Sequence, residues 1–67
     1  MPPKVRDAIR LVERDGWYHV RTRGSHRHYH HPVKLGTVTI PGHLGEDVEP
    51  RLWRSIMKQA GLTEGKR

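Results

Sequence analysis

The spacing of apolar residues along the chain changes twice, and each change marks a change of element. Val5, Ala8, Ile9 and Val12 recur at i, i+3, i+4 and i+7, with Leu11 on the flank and Lys4, Arg6, Arg10 and Arg14 pointing elsewhere. That is the apolar stripe of one helix face. Gly16 stands where a left-handed residue ends such a helix, so the spacing predicts a helix over residues 3–15. From Trp17 the period becomes two, the period of a strand. Over 17–22 it sets Tyr18, Val20 and Thr22 against Trp17, His19 and Arg21, the first set predicted inward. After a short turn at Gly24-Ser25, residues 26–31 alternate again, Arg27, Tyr29 and His31 against His26, His28 and His30. Pro32 and Gly36 punctuate a second turn, and 37–40 reads as a third strand with Val38 and Ile40 inward.

Short turns between these runs imply an antiparallel meander that is apolar on one side. Residues 41–50, with Pro41, Gly42, Gly45 and Pro50, read as a loop. Pro50 suits the first turn of a helix, where its missing N–H is no loss. Leu52, Trp53, Ile56, Met57 and Ala60 then form a second helical stripe that Gly61 ends. The predicted fold class is α+β, in the order α-β-β-β-α, with two helices on one face of a three-stranded antiparallel sheet. Residues 1–67 are expected to form a single domain, with 63–67 a frayed tail.

Composition narrows the setting. A chain of 67 residues buries only about 60% of its unfolded surface, so its core is small. It has no cysteine, hence no disulfide or thiolate-metal staple, which is compatible with a reducing cytoplasm. The apolar runs are only a few residues long, far short of the ~20 that cross a bilayer, and no stretch resembles a signal peptide. The expectation is a cytoplasmic protein with no membrane partner.

The net charge of +6 is unevenly placed. Residues 17–36 hold Arg21, Arg23, Arg27 and Lys34 and no acid, whereas Glu46, Asp47 and Glu49 cluster in the following loop. A small domain this basic reads as a binder of polyanions. If both helices cover one sheet face, the other presents Trp17, His19, Arg21, His26, His28, His30, Thr37 and Thr39, able to neutralise phosphates and stack on a base. For any single one of these residues, a solvated strand position is the plainer reading.

Histidine gives or takes a proton near neutral pH, and His26 opens its strand directly after Gly24-Ser25, among arginines. Such an imidazole can take the proton of a ribose 2′-hydroxyl as that oxygen attacks the adjacent phosphorus, a contribution of roughly 10²–10⁴-fold. Arginines on the phosphate would add electrostatic stabilisation. The candidate RNA contacts are Trp17 (or Tyr18) for base stacking, Arg21, Arg23 and Arg27 for phosphate, and Ser25 and His28 beside them. His26, His28 and His30 also invite a metal reading, with His43 as a fourth candidate. Alternate positions on a flat strand converge poorly, however, and no cysteine or placed carboxylate completes a ligand set. No metal and no small-molecule cofactor are expected.

Several stretches, in order, resemble the HicA family, the mRNA interferase toxins of HicA–HicB toxin–antitoxin pairs. They are Glu13-Arg14-Asp15-Gly16-Trp17, Val20-Arg21-Thr22-Arg23-Gly24-Ser25-His26, Tyr29-His30-His31-Pro32, Gly36-Thr37-Val38-Thr39-Ile40-Pro41 and Arg54-Ser55-Ile56-Met57-Lys58-Gln59-Ala60-Gly61-Leu62. The resemblance runs from about Val5 to Leu62. It implies a fold like that of double-stranded-RNA-binding domains, a metal-independent endoribonuclease acting on mRNA with His26 as the catalytic residue, and a HicB-like antitoxin that covers this region. The histidine-rich stretch at 27–31 departs from the family pattern, and the acidic loop at 42–47 has no counterpart role. The alternative is a non-catalytic double-stranded-RNA-binding module. Its usual lysine-rich second helix, used to span ~16 base pairs, is represented only thinly by Arg51, Arg54 and Lys58.

Overall fold

In the computed structural model, residues 1–62 are described; the predicted tail at 63–67 lies outside them. The chain folds as α1 (Val5–Arg14), β1 (Tyr18–Arg23), β2 (His26–His30), β3 (Val38–Ile40) and α2 (Pro50–Gln59). This is an α+β architecture with an open antiparallel sheet in the order β1-β2-β3. The expected element order is the observed one; α1, β2 and β3 are shorter than expected by one to three residues, and β1 begins and ends one residue later.

Both helices end in the same way. Gly16 and Gly61 adopt positive φ, 109° and 71°. The Trp17 N–H reaches back to Val12 O (3.1 Å) and the Gly16 N–H to Glu13 O (3.0 Å); Leu62 and Gly61 repeat this on Met57 O (2.8 Å) and Lys58 O (3.1 Å). These are the paired bonds of the Schellman motif, in which the residue after the glycine packs an apolar side chain back on the helix. That residue is Trp17 in one case and Leu62 in the other. Trp17 is accordingly only 2% exposed.

The start of α1 is capped by the acidic loop, to which the sequence assigned no role. The first N–H groups of a helix lack intrahelical partners. Here the Val5 N–H donates to Glu46 O (2.9 Å) and the Arg6 N–H to Leu44 O (3.2 Å), while the Lys4 N–H donates to Asp7 Oδ2 (2.7 Å). Lys4 also pairs with Asp47 through side chains. Val48 enters the core at 1% exposure, fixed by its N–H on Pro3 O (2.8 Å). The loop is thus a structural clamp that holds the start of α1 through its backbone carbonyls.

The core lies between the helices and one face of β2 and β3. Val5, Ala8 and Val12 of α1 meet Ile56, Met57 and Ala60 of α2 over Tyr29, Val38 and Ile40. At about 25 cal/mol per Å² of apolar surface, these few side chains supply most of what holds a domain of this size together. β1 lies outside that cover, and all six of its residues are exposed.

One prediction fails in β1, for a definable reason. Trp17 must turn inward as the residue following the helix cap. The two-residue turn, with Gly24 at φ 60° in the first central position favoured by type II′ hairpins, pairs Arg23 with His26, which lies on the open face. These two demands are one residue out of phase. A β-bulge between His19 and Arg21 absorbs the difference, since an extra residue reverses the alternation. Trp17 and His19 therefore fall on the helix side, and Tyr18 lies with Arg21 and Arg23 on the open side. Of the expected inward set of Tyr18, Val20 and Thr22, Thr22 keeps the helix side opposite Arg27, whereas Tyr18 and Val20 are corrected; they are 51% and 37% exposed.

Candidate nucleic-acid interface

The open face is built in rows across the strands. Arg23 stands opposite His26 beside the turn; Arg21 stands opposite His28, and His28 in turn opposite Thr39; Tyr18 stands opposite His30 at the far end. Successive outward positions along β2 are about 6–7 Å apart. The surface is therefore a basic strip with a terminal aromatic, and no carboxylate stands in these rows. Arg21, Arg23 and His26 are exposed, and His28 is partly buried.

His26 makes no side-chain hydrogen bond among the described residues, which leaves both ring nitrogens free for a ligand. His28 differs. Its Nδ1 lies 3.1 Å from Thr39 Oγ1, and its pKa is held below the ordinary imidazole value by partial burial first and then by the charges of Arg21, His26 and Arg23. Loss of solvation and like charges both disfavour imidazolium. Ser25 is in the turn itself, its carbonyl accepting the Gly42 N–H (3.0 Å).

Three residues counted with this face by sequence are elsewhere: Trp17 and His19, set outward, and Arg27, counted among the phosphate contacts although the alternation put it on the other side. Trp17 is in the core, its ring edge-on to His31 with centroids 5.2 Å apart and its Nε1–H buried without a hydrogen-bond partner among the described residues. The exposed aromatic of the strip is Tyr18. Arg27 points to the helix side and donates from Nη1 to Gly42 O (2.9 Å), tying the loop to β2. Trp17's position was legible in one respect, because a large apolar residue directly after a helix-ending glycine belongs against the helix. His19, also drawn inward by the bulge, lies edge-on to Tyr29 at 5.6 Å and contacts Thr22 Oγ1 at 2.7 Å.

The remaining histidine of the cluster is structural. His31 Nδ1 accepts from the N–H groups of Val33 and Lys34, both at 3.0 Å, so its Nε2–H donates to Asp15 O (2.8 Å). Lys34 Nζ bonds Asp15 Oδ2 (2.6 Å) and Ala60 O (3.1 Å), joining the ends of both helices. Hydrogen bonding from Lys34, with its charge, holds the Asp15 carboxyl below its usual pKa against an opposing loss of solvation. Among the described residues no three of His, Cys, Asp or Glu are grouped to hold a metal ion, and no helix is long and apolar enough to cross a membrane.

The fold and this face define a small α+β domain with a basic, histidine-bearing open sheet backed by two helices. The profile of a family described as the HicA toxin of bacterial toxin–antitoxin matches residues 5–62. That is nearly the whole chain, and the protein belongs to the HicA toxin family. Membership carries a toxin role opposite an antitoxin partner. No curated protein sequence matches the chain.

Proposed function

We propose that the chain is an endoribonuclease that cleaves mRNA on the open sheet face, with His26 as general base and a HicB-like antitoxin as its inhibitor. The observation that carries this reading is the placement of an exposed, unbonded imidazole opposite Arg23 and one row from Arg21. In the reaction the ribose 2′-hydroxyl loses its proton to His26 and its oxygen bonds to the adjacent phosphorus. The bond to the 5′ oxygen breaks, and that oxygen takes a proton from solvent or a neighbouring imidazole. One product ends in a 2′,3′-cyclic phosphate. Arg21 and Arg23 stabilise the charge that grows on the phosphate oxygens, His28 contributes a neutral hydrogen-bonding ring, and Tyr18 offers a base a stacking surface. The chemistry requires no metal, and the toxin would act in the cytoplasm, where mRNA and antitoxin meet.

The test is cleavage of a long mRNA in EDTA by the parent chain and by His26→Ala. The expected outcome is cutting by the parent, a loss of roughly 10²–10⁴-fold in the variant, and resistance of RNA carrying a 2′-deoxy sugar at the cut site. Full activity of His26→Ala overturns the site assignment. RNA binding without cutting by either protein overturns the enzyme reading in favour of a binding module.

A further inference from the structure

On the side of the molecule away from the open sheet face, α2 borders an open groove of about 890 Å³ lined by Leu11, Trp53, Met57 and Leu62 with Arg51, Arg54, Ser55 and Lys58. Trp53 and Arg54 also line a smaller groove of about 330 Å³ with Pro2, Pro3, Val48 and Pro50. The two grooves share Trp53 and Arg54, and the larger is a trough along α2. Its floor is apolar, and Trp53 is only partly buried there. Among the described residues its rim carries three cations and no acid.

We propose that this trough is a docking surface for an acidic, amphipathic peptide segment of a protein partner. A surface helix whose Trp53 is only partly covered, flanked by the half-buried Leu11 of α1 and Leu62, offers one half of a helix-in-groove contact. A ten-residue helix such as α2 is about 15 Å long, enough for two or three apolar anchors spaced at i, i+3 or i+4, and i+7. The rim sets the charge of the partner, because acidic side chains beside those anchors meet Arg51, Arg54 and Lys58. An RNA backbone fits the rim and not the floor, since phosphates and sugars offer nothing apolar of that size. The surface is separate from the His26 strip, so the proposal does not depend on whether that strip cleaves RNA.

The test uses the full chain and a random 12-residue phage-display library, with enriched peptides synthesised and mapped by amide and indole chemical shifts. The expected result is enrichment of Asp/Glu-rich peptides with spaced apolar anchors. The Trp53 indole should shift on binding, and the buried Trp17 indole should not. Arg51→Glu combined with Arg54→Glu should weaken binding by about tenfold or more. Acids near a helix N-terminus are favourable, so this variant keeps its fold, checked by circular dichroism, and its RNA cleavage. Arg21→Glu on the sheet face should leave peptide affinity within about twofold. Failure to enrich any peptide, enrichment of neutral or basic sequences, shifts centred on the sheet face, or displacement of the peptide from Trp53 by duplex RNA would each overturn the proposal.

Discussion

His26 begins β2 and His31 directly follows its end, yet the two imidazoles have opposite surroundings. His26 is exposed, unbonded among the described residues, and surrounded by cations. His31 has a side chain only 9% exposed and both ring nitrogens committed to backbone groups. The same side chain is thus an exposed, unbonded ring at one end of a strand and a three-way structural rivet at the other. The difference is not in the residue but in which backbone groups stand nearby. The turn after β2 offers the Val33 and Lys34 N–H groups and the end of α1 the Asp15 carbonyl, whereas no backbone group is bonded to the His26 ring among the described residues.

The comparison can be broken by exchange. His26→Ala should remove catalysis while changing unfolding stability by less than about 0.5 kcal/mol, as exposed sites do. His31→Ala should cost about 1–3 kcal/mol in urea unfolding, because it removes the bonds that tie the turn to Asp15 and opens space beside Trp17. In a domain this small such a loss leaves little net stability. Equal stability losses in the two variants would erase the distinction.

Gly16 tests the same rivet from the other side. An added Cβ there would stand 2.8 Å from His31 Nε2, on a backbone at φ 109°. Gly16→Ala should therefore cost about 1–3 kcal/mol. Gly24, equally left-handed, has open space around its Cβ position. Its alanine variant pays only the backbone strain, about 1 kcal/mol, so the ratio of the two measures the close approach at His31.

Two arginines sharpen the contrast between faces. Arg21→Ala should lower the salt dependence of single-strand RNA binding by about 0.7 in the log–log slope with little change in stability. Arg27→Ala should leave that slope intact and cost about 1 kcal/mol through its lost bond to Gly42 O. Parallel salt titrations and unfolding curves separate them.

The smallest effect concerns His28. Its pKa is depressed in the fold from the ordinary 6.5, so below that value the unfolded chain takes up more protons than the folded one. The stability this contributes is complete above about pH 6.5 and is lost as pH falls through the folded value. Unfolding midpoints of the parent should fall from about pH 7 to pH 5 more than those of His28→Asn, which keeps a hydrogen-bonding side chain near Thr39. Identical pH profiles would place the depression elsewhere.

Much of this was legible in the sequence, and for local reasons. The period of the apolar residues fixes the two helices and the alternation of β2 and β3, and glycines at residues 16, 24 and 61 mark where the chain must turn. His26 at the hairpin, with Arg21 and Arg23 on its own side, follows from that alternation and the turn alone. Three things did not follow. Trp17 was set outward, Arg27 was counted with the phosphate ligands, and the acidic loop had no role. The first was settled by the competition between a helix cap and a hairpin, resolved in a bulge at Val20. The other two were settled by contacts between segments distant in sequence: Arg27 with Gly42, and the carbonyls of residues 44 and 46 with the start of α1. Periodicity is a property of neighbours along the chain, so sequence alone determined the elements and the chemistry available to them. Which side of β1 meets the core, and which polar groups are used up inside the fold, are decided only when separate segments meet and their unpaired backbone groups must be satisfied together.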